Sequence, residues 1–198
     1  MIGDSLFDHD ALRVEVIGRA RTRYRLCALE EGGAAGVPLA FIRSRGSRSL
    51  RCYADDRQKD AVLAVTKRAF GPVRDVSTAG EGLIGRIELS TREDWRLFDR
   101  DSGCVALVRE DVLTGASRRR RNRVGAAASV VTLLLALGYL EGARPSRMVI
   151  MAGSAELGRM WRRGTQEGEL ELVGDPGRTI DRRVAAALLL LFVAGRGG

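Results

Sequence analysis

The segment Val184 to Ala194, VAAALLLLFVA, is apolar on every side of a helix. A helix of that kind must be surrounded, either by lipid or by protein. As a helix it would be roughly 16 Å long, too short for the hydrocarbon core of a bilayer and suited to the lumen of a small barrel. The preceding GDPGRTIDRR supplies the start signal: Asp181 or Thr179 is placed to cap the helix, and Gly195 to stop it.

The rest of the chain must then supply the wall. Up to about residue 113 it reads as short strands separated by turn signals. In RYRLCALEE, Tyr24, Leu26 and Ala28 fall on one face and Arg23 and Arg25 on the other. In LIGRIEL, Leu83, Ile87 and Leu89 share a face with Gly85, while Arg86 and Glu88 point away. Trp95 and Leu97 alternate with Arg96, and Val105 and Leu107 follow the turn at Asp101 to Gly103. Such period-two alternation is what a sheet with one buried face requires. Asp60 to Phe70 has helical and extended readings. Val62, Val65 and Thr66 before Gly71-Pro72 favour a strand.

Self-comparison adds a repeat. Val73 to Leu89 (VRDVSTAGEGLIGRIEL) resembles Ser146 to Arg163 (SRMVIMAGSAELGRMWRR), with Gly85-Arg86 aligned on Gly158-Arg159. A fainter third copy, RLCALEEGGAAGVPLAFIR, aligns Gly36. The pattern describes a β-hairpin whose second strand carries a glycine at a bulge or close backbone contact. Hairpins of one kind in both parts of the chain predict a closed sheet, which leaves no free edges.

The expected organisation is an N-terminal segment, 1–20, that frays, followed by one barrel domain over 21–198. Its parts, about 21–113 and 141–198, are joined by a basic linker and apolar helix at 114–140. Val124 to Leu140 carries no charge and is near the lower limit for a bilayer span. Gly125, Ser129, Thr132 and Gly138 dilute its apolarity, which favours a core helix over a membrane-inserted one.

This arrangement resembles the tubby-like C-terminal domain group, which includes phospholipid scramblases and the plant LURP-one-related proteins. The residues that carry the likeness are Gly82 to Arg86, Gly153 to Arg159, Trp95 to Asp99 leading into Asp101-x-Gly103, and Asp181-Arg182-Arg183 opening the last helix. The resemblance covers roughly residues 20 to 195. It implies a closed antiparallel barrel of two pseudo-repeated parts, mostly β, with an apolar C-terminal helix through its centre. The chain lacks an acidic metal loop and the cysteine-rich stretch of animal scramblases, so calcium-triggered lipid movement is not carried over.

Chemistry is sparse. His9 is the sole histidine, in an acidic segment where a Ser-His or Cys-His pair is not expected. Asp8, His9 and Asp10 are sequential and do not form a typical metal set. Cys27, Cys52 and Cys104 are odd in number and make no C-x-x-C pair, so they predict reduced thiols, at least two of them buried. Asp99 and Asp101 suit an Asx-rich turn better than a calcium loop. No glycine-rich segment has a nucleotide-binding context, and no cofactor or enzyme activity is expected.

The net charge is +8, and Lys59 and Lys67 are the only lysines among 33 basic residues. Arginine spread so evenly reflects compositional bias and predicts a solvated surface more than a phosphate-binding face. The dense exception is Arg118, Arg119, Arg120, Arg121 and Arg123. Their mutual repulsion would be relieved by an anionic partner. With an apolar stretch directly following, an anionic phospholipid surface fits better than nucleic acid, for which stacking aromatics are missing. The expected protein is therefore a non-catalytic scaffold or binding module, cytoplasmic and peripheral to a membrane, docking on anionic lipid or a protein. The alternatives are a basic nucleic-acid-binding module, or a carrier or enzyme with an unrecognised pocket.

Overall fold

Alternation of inward apolar and outward charged residues builds twelve strands that close on themselves in sequence order. The computed structural model describes residues 5–17, 23–30, 34–45, 49–57, 59–69, 71–89, 94–111, 147–163, 167–175 and 178–194. After a 3-10 turn at Ser5–Phe7 come β1 (Ala11–Ile17), β2 (Arg23–Leu29), β3 (Ala35–Arg45), β4 (Ser49–Tyr53), β5 (Leu63–Lys67) and β6 (Val73–Thr78). They are followed by β7 (Gly82–Leu89), β8 (Asp94–Phe98), β9 (Cys104–Glu110), β10 (Arg147–Ala152), β11 (Ala155–Arg163) and β12 (Glu167–Glu171). A single helix, α1 (Arg182–Ala194), ends the described chain. Every neighbouring pair is antiparallel, and β12 pairs back onto β1 from Ala11↔Glu171 to Glu15↔Glu167. The expected closed β-barrel with one C-terminal helix is what the chain forms.

The expected fraying of residues 1–20 does not hold for 11–17. Leu12 and Val14 are fully buried in the lumen, and β1 is hydrogen-bonded on both sides. Removing it would open the barrel. The segment Asp60 to Phe70 contains β5, as the strand reading predicts. Nine described strands precede residues 112–146 and three follow. The expected helix at 124–140 lies outside the described residues.

The repeated hairpins are β6–β7 and β10–β11, and they share one defect in register. Val76 pairs with Gly85 and Ser77 with Leu83, leaving Ile84 extra. Ile150 pairs with Gly158 and Met151 with Glu156, leaving Leu157 extra. Each bulge lets two consecutive residues, Ile84-Gly85 and Leu157-Gly158, be buried. It also corrects the sequence reading: Leu83 pairs with Ser77 and so lies on the opposite face from Gly85 and Ile87. A Cβ on Gly158 would stand 2.3 Å from the Glu171 carbonyl oxygen, and one on Gly85 2.8 Å from that of Phe98. The third hairpin, β2–β3, shifts register twice: Leu39 is extra between Ala40 and Pro38, and Gly36 and Val37 together oppose Ala28. The buried Ala40 follows the first shift as Gly85 and Gly158 follow theirs, and Gly36 lies at the second, where a Cβ would stand 3.1 Å from the Ala28 carbonyl oxygen. β9 has a bulge at Val105, and beyond it Ala106 and Val108 face inward.

α1 fills the lumen. All of Val184 to Val193 is buried. Val184 lies against Gly85, and Val193 and Leu189 lie against Gly168 at the start of β12. The helix therefore enters at the end of the barrel where β6 meets β7 and finishes at the end where β9 leaves and β10 begins.

Candidate functional site at the two ends of the barrel

With the lumen occupied, ligands can meet the outer wall or the two ends. The end where α1 begins is an arginine–carboxylate clasp built by Asp181-Arg182-Arg183. Asp181 caps the helix: its Oδ1 accepts from the Arg183 amide at 2.8 Å, and its carbonyl accepts from the Ala185 amide at 3.0 Å. Of the two caps the sequence offers, Asp181 is the one used. The buried Arg182 guanidinium reaches Asp175 at 2.7 Å and Asp10 at 2.6 Å. Asp175 is itself buried and accepts from the amides of Thr179 at 2.7 Å and Ile180 at 3.1 Å. Burial alone would push its carboxyl up. The Ile180 amide, Arg182 and Thr179 overcome that and hold it below the usual carboxylate range.

Arg183 binds Asp181 at 2.7 Å and bridges to Glu81 in the β6–β7 turn. The hydrogen bonds Arg183 donates to Asp181 and Glu81 raise its pKa, and Arg183 lowers that of Glu81 in return. At Asp181, too, burial pushes the carboxyl up, and Arg183 brings it down below normal. Negative side chains here also face the positive end of the helix dipole. This end is a closed electrostatic latch, and its charges are spent on one another.

The opposite end is different. Arg162 lies with Cζ 4.7 Å above the Phe192 ring, and Trp95 meets that ring edge-on at 6.5 Å. Arg74 alternates with Val76 along β6 and so points into the barrel, where it is 8% exposed. Burial lowers its pKa, and that is the sole cause. Lys67 stands directly opposite Arg74 in register and alternates with the buried Val65, so both cations share the inner face. β9 ends and β10 begins at this end.

On the outer wall, arginines pair with acids across strands. Arg13 meets Glu167 and Arg25 meets Glu15, each at 2.6 Å, and Arg68 meets Asp75 at 2.9 Å. These pairs account for the wall as a solvated surface of mixed charge, not a single basic face.

The sequence-predicted site, Arg118, Arg119, Arg120, Arg121 and Arg123, lies outside the described residues. Asp8 and Asp10 are drawn apart, to Arg178 at 2.6 Å and to Arg182. Among the described residues no group of three or more His, Cys, Asp or Glu is placed to hold a metal ion. Asp99 makes the expected turn, accepting from the Gly103 amide at 2.7 Å. Cys27 and Cys52 are buried and Cys104 is exposed. Burial pushes the Cys52 thiol up to about 12, which leaves it unreactive. Among the described residues no helix is long and apolar enough to cross a membrane.

No known family pattern matches the chain, and no curated protein matches it. Among solved structures, the chain is similar to the X-ray structure of an Arabidopsis thaliana protein, AT5G01750. The TM-score is 0.51 at 12% identity, over 97% of this chain and 96% of that one. The class so defined is a twelve-stranded barrel threaded by its own C-terminal helix. At that identity the likeness carries the fold alone.

Proposed function

We propose that the chain is a non-catalytic, tubby-like binding module that docks on anionic phospholipid through Arg118, Arg119, Arg120, Arg121 and Arg123. The observation that carries this reading is the filled lumen: α1 occupies the space a carrier or a buried active site would need. That leaves the ends and the segments they bear as docking places. The arginine run belongs to the segment joining β9 to β10. It is followed at once by an apolar stretch, a sequence suited to headgroups and acyl chains together. On this reading the protein works at the cytoplasmic surface of a membrane.

Sedimentation with phosphatidylcholine vesicles containing graded phosphatidylserine tests it. At about 1 kcal/mol per basic residue near an anionic surface, changing Arg118 to Arg121 to Gln should weaken binding by about 100- to 1000-fold. Binding by the wild type should also fall as salt rises. Failure of the wild type to sediment at low salt, or equal binding by the variant, would overturn the reading. Nucleic acid and a protein partner would then be the next ligands to test.

A further inference from the structure

We propose that Lys67 and Arg74 form an oxyanion site at the inner rim of the barrel, at the end where α1 finishes, and that it takes a phosphate group. Three inward arginines of this barrel can be compared. Arg182 is matched by Asp175 and Asp10. Arg162 lies over the Phe192 ring. Arg74 has neither: its Nη1 is buried with no hydrogen-bond acceptor, and Arg74 enters no ion pair among the described residues.

A buried charge without a counter-charge is costly, and native proteins rarely keep one idle. Lys67 is the direct cross-strand partner of Arg74, which places the two stems about 5 Å apart on one face, so the residue opposite Arg74 brings no counter-charge. Lys67 also enters no ion pair among the described residues. The C-terminal end of α1 faces the same rim, with a dipole worth only about half a negative charge, and Glu110, inward at the end of β9, pairs with neither Arg74 nor Lys67.

Two neighbouring cations without a counter-charge, one of them nine-tenths buried, are what an oxyanion satisfies. A guanidinium beside an ammonium offers a planar fork and a point charge, which suits a phosphate with more than one charged oxygen. Beyond Arg74, the rim continues through Ile87, its partner on β7, and Leu89, which stands opposite Trp95. The site therefore has an apolar flank, and the phosphate could be free or borne by a lipid headgroup. The inference is independent of the arginine run at 118–123.

The test uses Arg74→Met, which keeps most of the side-chain volume and removes the uncompensated charge, so the variant should fold at least as well as the wild type. Lys67→Gln is the second variant. Thermal unfolding is followed while inorganic phosphate is titrated at constant ionic strength. Phosphate at about five times its dissociation constant should raise the wild-type midpoint by about 2–4 °C. The rise should be lost in Arg74→Met and reduced in Lys67→Gln. General salting-out by phosphate would act on all three proteins alike.

A second arm uses phosphatidylcholine vesicles with phosphatidic acid, in the Arg118 to Arg121→Gln background so that the run contributes nothing. Phosphate stabilisation that depends on Arg74 supports the site with a free ligand. Vesicle binding that depends on Arg74, without an effect of inorganic phosphate, supports it with a lipid headgroup. No Arg74-dependent response in either arm overturns it, whatever the arginine run does.

Discussion

Arg182→Leu is expected to lower stability at pH 7 by about 3–5 kcal/mol, because it strands a buried carboxylate. Asp175 is 2% exposed, and without the guanidinium it keeps neutral donors alone, the Thr179 and Ile180 amides and the Thr179 hydroxyl. In a protein of this size that loss corresponds to a midpoint about 10 °C lower. The sign of its pH dependence follows from Asp175. Its folded pKa lies below normal, so its contribution is present above the unfolded value, about 4, and is lost as pH falls through the folded one. The deficit of Arg182→Leu should therefore be largest near neutrality and shrink below about pH 4. Urea unfolding at pH 7 and pH 3 measures it. A deficit under 1 kcal/mol at pH 7 would contradict the latch.

The second large effect is expected in the lumen. Leu189 is fully buried on the side of α1 that lies against Gly168. Truncation to Ala removes the transfer energy of the lost carbons and leaves a cavity that a closed barrel cannot collapse. The cost should be about 3–5 kcal/mol, toward the upper part of the usual range for buried leucines. The matched control is Val173→Ala, where a side chain of similar character is 77% exposed. It should change stability by under about 0.5 kcal/mol. Equal effects at the two positions in chemical denaturation would mean that α1 is not enclosed.

The barrel and its helix were legible because their signals are local and strong. Leu188 to Leu191 admit no solvent-facing side in a helix, and pairs such as Trp95 and Leu97 alternate cleanly with Arg96. What sequence reading missed follows from bulges. Period two cannot show where a residue is inserted, so the pattern sets Leu83 on the Gly85 face although the bulge at Ile84 turns it away. The repeat did reveal the glycines at the bulges of β7 and β11, since a Cβ there has no room. The third hairpin has two such shifts, with Ala40 beside one and Gly36 at the other, and alignment on glycine finds only the second.

The site was less legible. Asp181-Arg182-Arg183 was recognised as the helix opening, but its partners Asp10, Glu81 and Asp175 are brought in by closure of the barrel. The N-terminal Asp10 belongs to a segment expected to fray, and the pairing of β1 with β12 and β2 fixes it. Arg74 carried one usable signal, a cation two residues before Val76 on the same face of a strand. In a chain with so many arginines, that signal does not stand out from the surface pairs.

The central claim is that the barrel is closed around α1, so that ligands meet its ends and outer wall. Native-state hydrogen exchange tests it most directly, read at the amides of residues 185–193 across a series of low urea concentrations. If α1 is enclosed by twelve paired strands, these amides exchange only through global unfolding, and their opening free energies equal the stability of the whole protein. Exchange of those amides through a local opening several kcal/mol cheaper than global unfolding would contradict the claim. The lumen would then be available to a ligand.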